Sequence, residues 1–328
     1  MKKYFLFLFL LCVISPKIIR ANDYIQHYEK AYLELKNMLE GKTPLNTQKA
    51  IFIVENAWYG NTRKFTDFQS KIQKIGLQCQ TMINRTKLNQ YKTAGNWAIF
   101  EWMTQKVPEN QNRPCIYNFD DFFGKKDFSS MFVSKLLETK KGNCLSLPLL
   151  YMCVAQDIGV EARLTLGPSH AWIRHIDEEG QWANVELTSG QLPTDGLMMT
   201  GLGIQAQAIK SGAYLSELTQ KEAIAFLLTQ LALGYENRTG KSDNFTDKCA
   251  DLSIKYFPPN VIAYTIKKNR VAKRARKLII NGMVNSTEFK LADTQYDIYE
   301  KKLIELGAGE LGEKKYEDWM NSVTPSKQ

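Results

Sequence analysis

Apolar residues between positions 24 and 39 recur with a period near 3.6: Tyr24, Ile25, Tyr28, Ala31, Tyr32, Leu35, Met38 and Leu39 fall on one face. That is the pattern of an amphipathic helix, and Gly41 and Pro44 end it. The spacing predicts a second helix over 46–58, with Asn46 near its cap. A third is predicted over 65–83, where Phe65, Phe68, Ile72, Ile75, Cys79 and Met82 share a face, and a fourth over 93–103. Residues 107–127, with Pro108, Pro114 and Gly124, read as loop, and 129–140 as a helix.

The period then changes. After the apolar run 145–155, the stretches EARLTLG, HAWIRHI and WANVELT are short, rich in β-branched and aromatic residues, and parted by GPS and DEEGQ. They predict strands joined by turns. Residues 188–214 are glycine-rich without a clear period, and GLMMTGLG reads as a loop beside the site. From Leu218 helical spacing returns. Thr219 and Glu222 form a capping box ahead of an apolar run, Pro258 and Pro259 divide two further helices, and another is predicted over 288–306.

Composition adds boundaries to this picture. A hydrophobic fraction of 44% and a charged fraction of 23% are ordinary for a globular chain, which argues against wholesale disorder. The opening MKKYFLFLFLLCVIS has the basic start and short apolar stretch of a signal peptide, predicting removal of residues 1–21 and export, periplasmic or secreted. Cys12 follows Leu11 rather than a small residue, so lipid anchoring is the weaker reading. Losing Lys2, Lys3, Lys17 and Arg20 takes the formal charge from +9 to +5, a surplus too mild to imply nucleic acid. The run KKNRVAKRARK, 267–277, reads as one solvated face of a helix. No later apolar run is long enough to cross a bilayer.

The remaining cysteines are Cys79, Cys115, Cys144, Cys153 and Cys249. An odd number in an oxidising compartment leaves at least one thiol free. No C-x-x-C occurs, and neither metal nor cofactor is expected. Cys144 is the unusual one, held at the polar edge of the apolar run after Gly142 and Asn143. A thiol near a helix start benefits from unpaired amides, which favour its anion and can hold an oxyanion. Pro148, best tolerated in a first helical turn, points to Ser146 as the cap with Cys144 just ahead of it. Cys153, nine residues on, falls on the opposite side of that helix and reads as a buried thiol or a disulfide partner.

An imidazole base must come from elsewhere in the chain. His170 opens the strand-like HAWIRHI, where positions 170, 172 and 174 share a face and His175 points away. Two groups on WANVELT are placed to orient such a ring, Glu186 and, alternatively, Asn184. Asn143 and Trp172 are the expected neighbours of an oxyanion or substrate.

Residues 142–188, with Gly142 and Cys144, DIGVEAR, SHAW and WANVE, resemble the core of transglutaminase-like proteins. The resemblance implies a papain-like α+β fold with cysteine at a helix start, histidine opening one strand and an acid on the next. By spacing the acid falls on Glu186, a glutamate where the family has aspartate. GNCLSL and GPSH are similar to a bacterial branch related to the SirB1 N-terminal domain, in which tetratricopeptide-type helices often follow.

The expected organisation is a leader at 1–21, a helical region at 22–110, an α+β papain/transglutaminase-like core at 111–215, and α-hairpins resembling tetratricopeptide repeats at 216–328. The expected activity is that of a cysteine-dependent amide hydrolase or acyltransferase working through Cys144, His170 and Glu186. Its substrate would be a peptide or protein amide or a cell-envelope polymer, and the C-terminal helices would offer a surface to a protein partner. The alternative is a catalytically inactive scaffold on the same fold. A redox pairing of Cys144 with another cysteine is a third reading.

Overall fold

The computed structural model describes residues 21–309. The expected leader lies outside the described residues except for Ala21. Four helices open the described part: α1 (Ala21–Leu39), α2 (Thr47–Trp58), α3 (Phe65–Thr86) and α4 (Ala94–Thr104). The side chain of Asn46 accepts a hydrogen bond from the Lys49 amide at 2.8 Å and caps α2, as its position predicts.

A mixed segment follows: β1 (Ile116–Tyr117), α5 (Val133–Thr139), β2 (Lys141–Gly142), α6 (Ser146–Ile158), β3 (Arg163–Gly167), β4 (His170–Ile176) and β5 (Trp182–Val185). Strands β3, β4 and β5 make an antiparallel sheet in that order, with Gly167 opposite His170 and Ile173 opposite Val185. Helix α6 packs on β3 and β4. The fold is α+β, with helices on both sides of this segment.

Four features depart from the sequence pattern. Strands β1 and β2 are a two-residue parallel pair, too short to carry a period. The helix expected over 129–140 divides into a 3₁₀ turn at Phe128–Met131 and α5. The cause is distant: the buried Glu55 carboxylate of α2 accepts from the Val133 and Ser134 amides at 2.6 and 2.9 Å and starts α5 there. The region 188–214, read as aperiodic, holds α7 (Asp195–Leu202) and α8 (Ala206–Lys210). The expected GLMMTGLG loop is therefore mostly helix, capped by the Thr194 side chain and ended by left-handed Gly203.

The described residues end in α9 (Gln220–Thr239), α10 (Asn244–Tyr256), α11 (Val261–Ile280) and α12 (Thr287–Glu305), consecutive helices packing against each other. The Thr219–Glu222 capping box is formed. The chain breaks between α10 and α11 at Pro258–Pro259, and Asn260 caps α11 through the Ile262 and Ala263 amides. Helix α9 also packs against α1 and α2, so the two outer helical regions share one apolar core with the sheet segment. Among the described residues no helix is long and apolar enough to cross a membrane.

Candidate active site

The local order around Cys144 is set by Asn143. Its Oδ1 accepts from the Leu145 and Ser146 amides at 3.1 and 2.9 Å, and its own amide donates back to Ser146 Oγ at 2.9 Å. The Asn143 carbonyl takes the first helical bond, from Leu147 N at 3.1 Å. This is a reciprocal capping box with Asn143 as the cap, where the sequence pointed to Ser146. Cys144 therefore occupies the first position of the helical turn, and its backbone N–H makes no hydrogen bond with a described residue. Gly142 has to be glycine here. A Cβ on it would lie 2.9 Å from Leu147 Cγ and 3.0 Å from Ser146 Oγ, inside the cap.

His170 is delivered by the turn between β3 and β4. Ser169 sits there in the left-handed region at φ 55°, and its carbonyl lies 3.8 Å from Cys144 Sγ. The chain reversal thus brings the first residue of β4 to the start of α6, and puts the His170 imidazole near enough to the Cys144 side chain for the sulfur to raise its pKa. The other side of the ring faces Glu186, whose Oε2 is 2.6 Å from His170 Nε2. With Nε2 engaged, the nitrogen left for sulfur is Nδ1. The second Glu186 oxygen accepts from the Thr188 amide at 2.8 Å and hydroxyl at 2.5 Å, so a carboxylate that is only 1% exposed has partners on both oxygens.

The electrostatics follow from this enclosure. Burial pulls the His170 imidazole down, since charge is costly away from water. The Glu186 carboxylate and the Cys144 sulfur more than offset that and raise it to about 9. The other thiols go the opposite way from useful reactivity: burial pushes Cys79 up to about 12, Cys115 to about 11, and Cys153 and Cys249 well above the ordinary value. All five described cysteines are free thiols, Cys144 among them, so it forms no redox pair here and Cys153 is a buried thiol rather than a disulfide partner. Among the described residues no group of three or more histidine, cysteine, aspartate or glutamate side chains is placed to hold a metal ion.

The remaining candidates are spent on other partners. Trp172 is fully buried and stacks on His170 with centroids 6.0 Å apart and planes at 21°. Its Nε1 donates to Asn184 Oδ1 at 2.8 Å, while Asn184 Nδ2 donates to Asp195 Oδ1 at 2.7 Å and to the Pro193 carbonyl. Asn184 therefore fixes Trp172, and Glu186 is the group that meets the imidazole. Asn143 is also fully buried. Its Nδ2 is spent on the Phe122 carbonyl at 2.9 Å and on Met131 Sδ, which leaves no donor for an oxyanion.

Cys144 and His170 open onto a cleft of about 920 Å³. Its lining includes Leu145 and Ala171, Phe226 of α9, and Ile262 and Ile266 of α11. Sequence reasoning missed this role for α9 and α11. Their apolar periodicity signals a packed helix but not which surface of it faces an empty space.

No curated protein and no solved structure matches the chain. Residues 118–227, which run from just after β1 into α9 and contain Cys144, His170 and Glu186, match the family model of the transglutaminase-like superfamily.

Proposed function

We propose that the chain is a cysteine-dependent amide hydrolase or acyltransferase in which Cys144 is the nucleophile, His170 the general base and acid, and Glu186 the group that orients and charges the ring. One observation carries the reading: a single imidazole, raised in pKa by the Cys144 side chain beside it, has a buried carboxylate at 2.6 Å, and both Cys144 and His170 line a cleft. Held basic by Glu186, His170 takes the Cys144 proton. Sulfur attacks the amide carbonyl, and the Cys144 N–H, which makes no hydrogen bond with a described residue, would serve as a donor to the developing oxyanion. His170 then protonates the departing amine, leaving a thioester. Water resolves it to an acid, or a second amine resolves it by transamidation. The substrate class is a peptide or protein amide, or a cell-envelope polymer with amide links.

The helices α9 to α12 fit the wider reading of a SirB1-related chain with tetratricopeptide-like hairpins and a surface for a protein partner. The apolar opening residues fit export. The test of the chemistry is site-resolved alkylation. Iodoacetamide at pH 7 should modify Cys144 ahead of the other four thiols, and His170→Ala should slow that reaction by about a hundredfold. Equal rates in the two proteins would leave an inert fold, and the scaffold reading would stand instead.

A further inference from the structure

The cleft walls change character along their length. On α9 the cleft-facing residues are Phe226, Gln230, Leu233 and Glu236; on α11 they include Ile262, Ile266, Asn269, Lys273 and Arg276. Both stripes run from apolar to charged, at spacings of three or four that keep one helical face toward the cleft. The level of the thiol on this scale is set by Leu145. That residue, next to Cys144, lines a small adjoining cavity together with Leu227 and Gln230. From Gln230 to Glu236 the helical rise is about 9 Å. Lys273 lies 3.6 Å from Glu236, which places it at the same level, and Arg276 is about 4.5 Å further along α11.

The charged end is cationic in balance. Glu236 partly offsets Lys273, which is 63% exposed on its side chain. Arg276 lines the cleft and makes no hydrogen bond or ion pair with a described residue. A guanidinium with a free fork recognises a carboxylate through two parallel hydrogen bonds. The basic run of α11 thus has two sides. Lys267 and Lys268 are spent on Asp251 and Glu300, while Lys273 and Arg276 turn toward the space above Cys144.

We propose that this end of the cleft is a carboxylate subsite, and that the acyl donor is a peptide bearing an acidic side chain or terminus about three residues from the attacked amide. An extended peptide rises about 3.3 Å per residue, so three residues cover the distance from the Gln230 level to Lys273. The apolar stretch between accepts an uncharged side chain against Leu233 and Ile266. The inference rests on the reading of Cys144 and His170 as an activated pair.

The test uses two probes on the full chain: iodoacetyl-Gly-Leu-Glu amide and iodoacetyl-Gly-Leu-Gln amide, with Cys144 alkylation followed by peptide mass spectrometry. A partly exposed charge contact is worth up to about 1 kcal/mol, so the acidic probe should react about three- to fivefold faster at low ionic strength. Added salt should shrink the advantage. The double variant Lys273→Gln/Arg276→Gln should abolish it, bringing the acidic probe down to the rate of the neutral one in the same variant, and Glu236→Gln should enlarge it. Equal rates for both probes in the unaltered protein, or a preference that survives the double variant, would overturn the subsite alone. If neither probe favours Cys144, or if His170→Ala leaves labelling by the neutral probe unchanged, the activated pair falls and the subsite with it.

Discussion

Oε2 of Glu186 stands 2.6 Å from Nε2 of His170, and both side chains are almost wholly removed from solvent. Residue 186 lies one position beyond the end of β5, and the longer glutamate side chain spans from there to a ring on β4. An aspartate at this position would be one methylene shorter. Glu186→Asp should therefore break the contact in this backbone and slow Cys144 alkylation about tenfold at pH 7, with Glu186→Gln slowing it at least as much. A Glu186→Asp protein that labels at the original rate would show that the ring is positioned without the carboxylate.

The same pair carries a pH signature. His170 is raised from its ordinary 6.5 to about 9 in the folded chain, so the folded state binds its proton more tightly than the unfolded one. The resulting stability is fully present below about 6.5 and is lost as pH rises through about 9. Glu186→Gln removes the main source of that shift. The difference in urea midpoint between the two proteins should be largest near pH 6 and shrink by pH 9.5; a constant difference would assign Glu186 a packing role only.

Asn143 should behave as a helix cap. Asn143→Ala strips three acceptor contacts at the start of α6 and should cost about 1–3 kcal/mol in denaturant unfolding. Asn143→Asp keeps the acceptors and should recover part of the loss. If the alanine variant is as stable as the parent but labels poorly at Cys144, Asn143 acts in the chemistry instead.

Asn184 separates positioning from support. Asn184→Ala leaves the Trp172 indole N–H without its partner and should destabilise by about 1–3 kcal/mol. Because the residue touches Trp172 and Asp195 rather than the imidazole, folded protein at low temperature should alkylate Cys144 at no less than half the original rate. A drop as deep as that of Glu186→Gln would contradict this division of roles.

Glu55, which lines the small cavity beside Leu145 rather than the cleft itself, gives a second pH effect. Burial pushes its carboxyl up to about 7, against the hydrogen bonds of Ser134 and Val133. The folded state again holds the proton more tightly, so this group makes the protein lose stability as pH rises from about 4.5 to about 7, with no further loss above. Glu55→Gln is neutral throughout and retains an acceptor for α5. Its melting temperature should fall less than that of the parent between pH 5 and 8; parallel curves would refute the assignment.

Much of the site could be read along the chain because the relevant physics is local. The 3.6 period placed α1 to α4, the side-chain chemistry of Asn46 and of Thr219 with Glu222 fixed two helix starts, and the two-residue alternation of HAWIRHI put His170, Trp172 and Arg174 on one face. The parallel β1–β2 pair and the short α7 and α8 escaped, since two to eight residues hold too little of a period to register. Asn143 was misjudged for a different reason. An asparagine beside a cysteine looks equally like an oxyanion donor and a cap until the partners of its Nδ2 are known.

What the amino-acid order determined by itself is which residues share a helix face or a strand face, because that depends only on rise and rotation per residue. The choices between Glu186 and Asn184 for the imidazole, the start of α5 under a carboxylate 78 positions away, and the use of α9 and α11 as walls above Cys144 were settled only when the elements packed. Those relations are distances between segments far apart in the chain, and they are fixed by how side-chain volumes fill the common core rather than by any repeat within a segment.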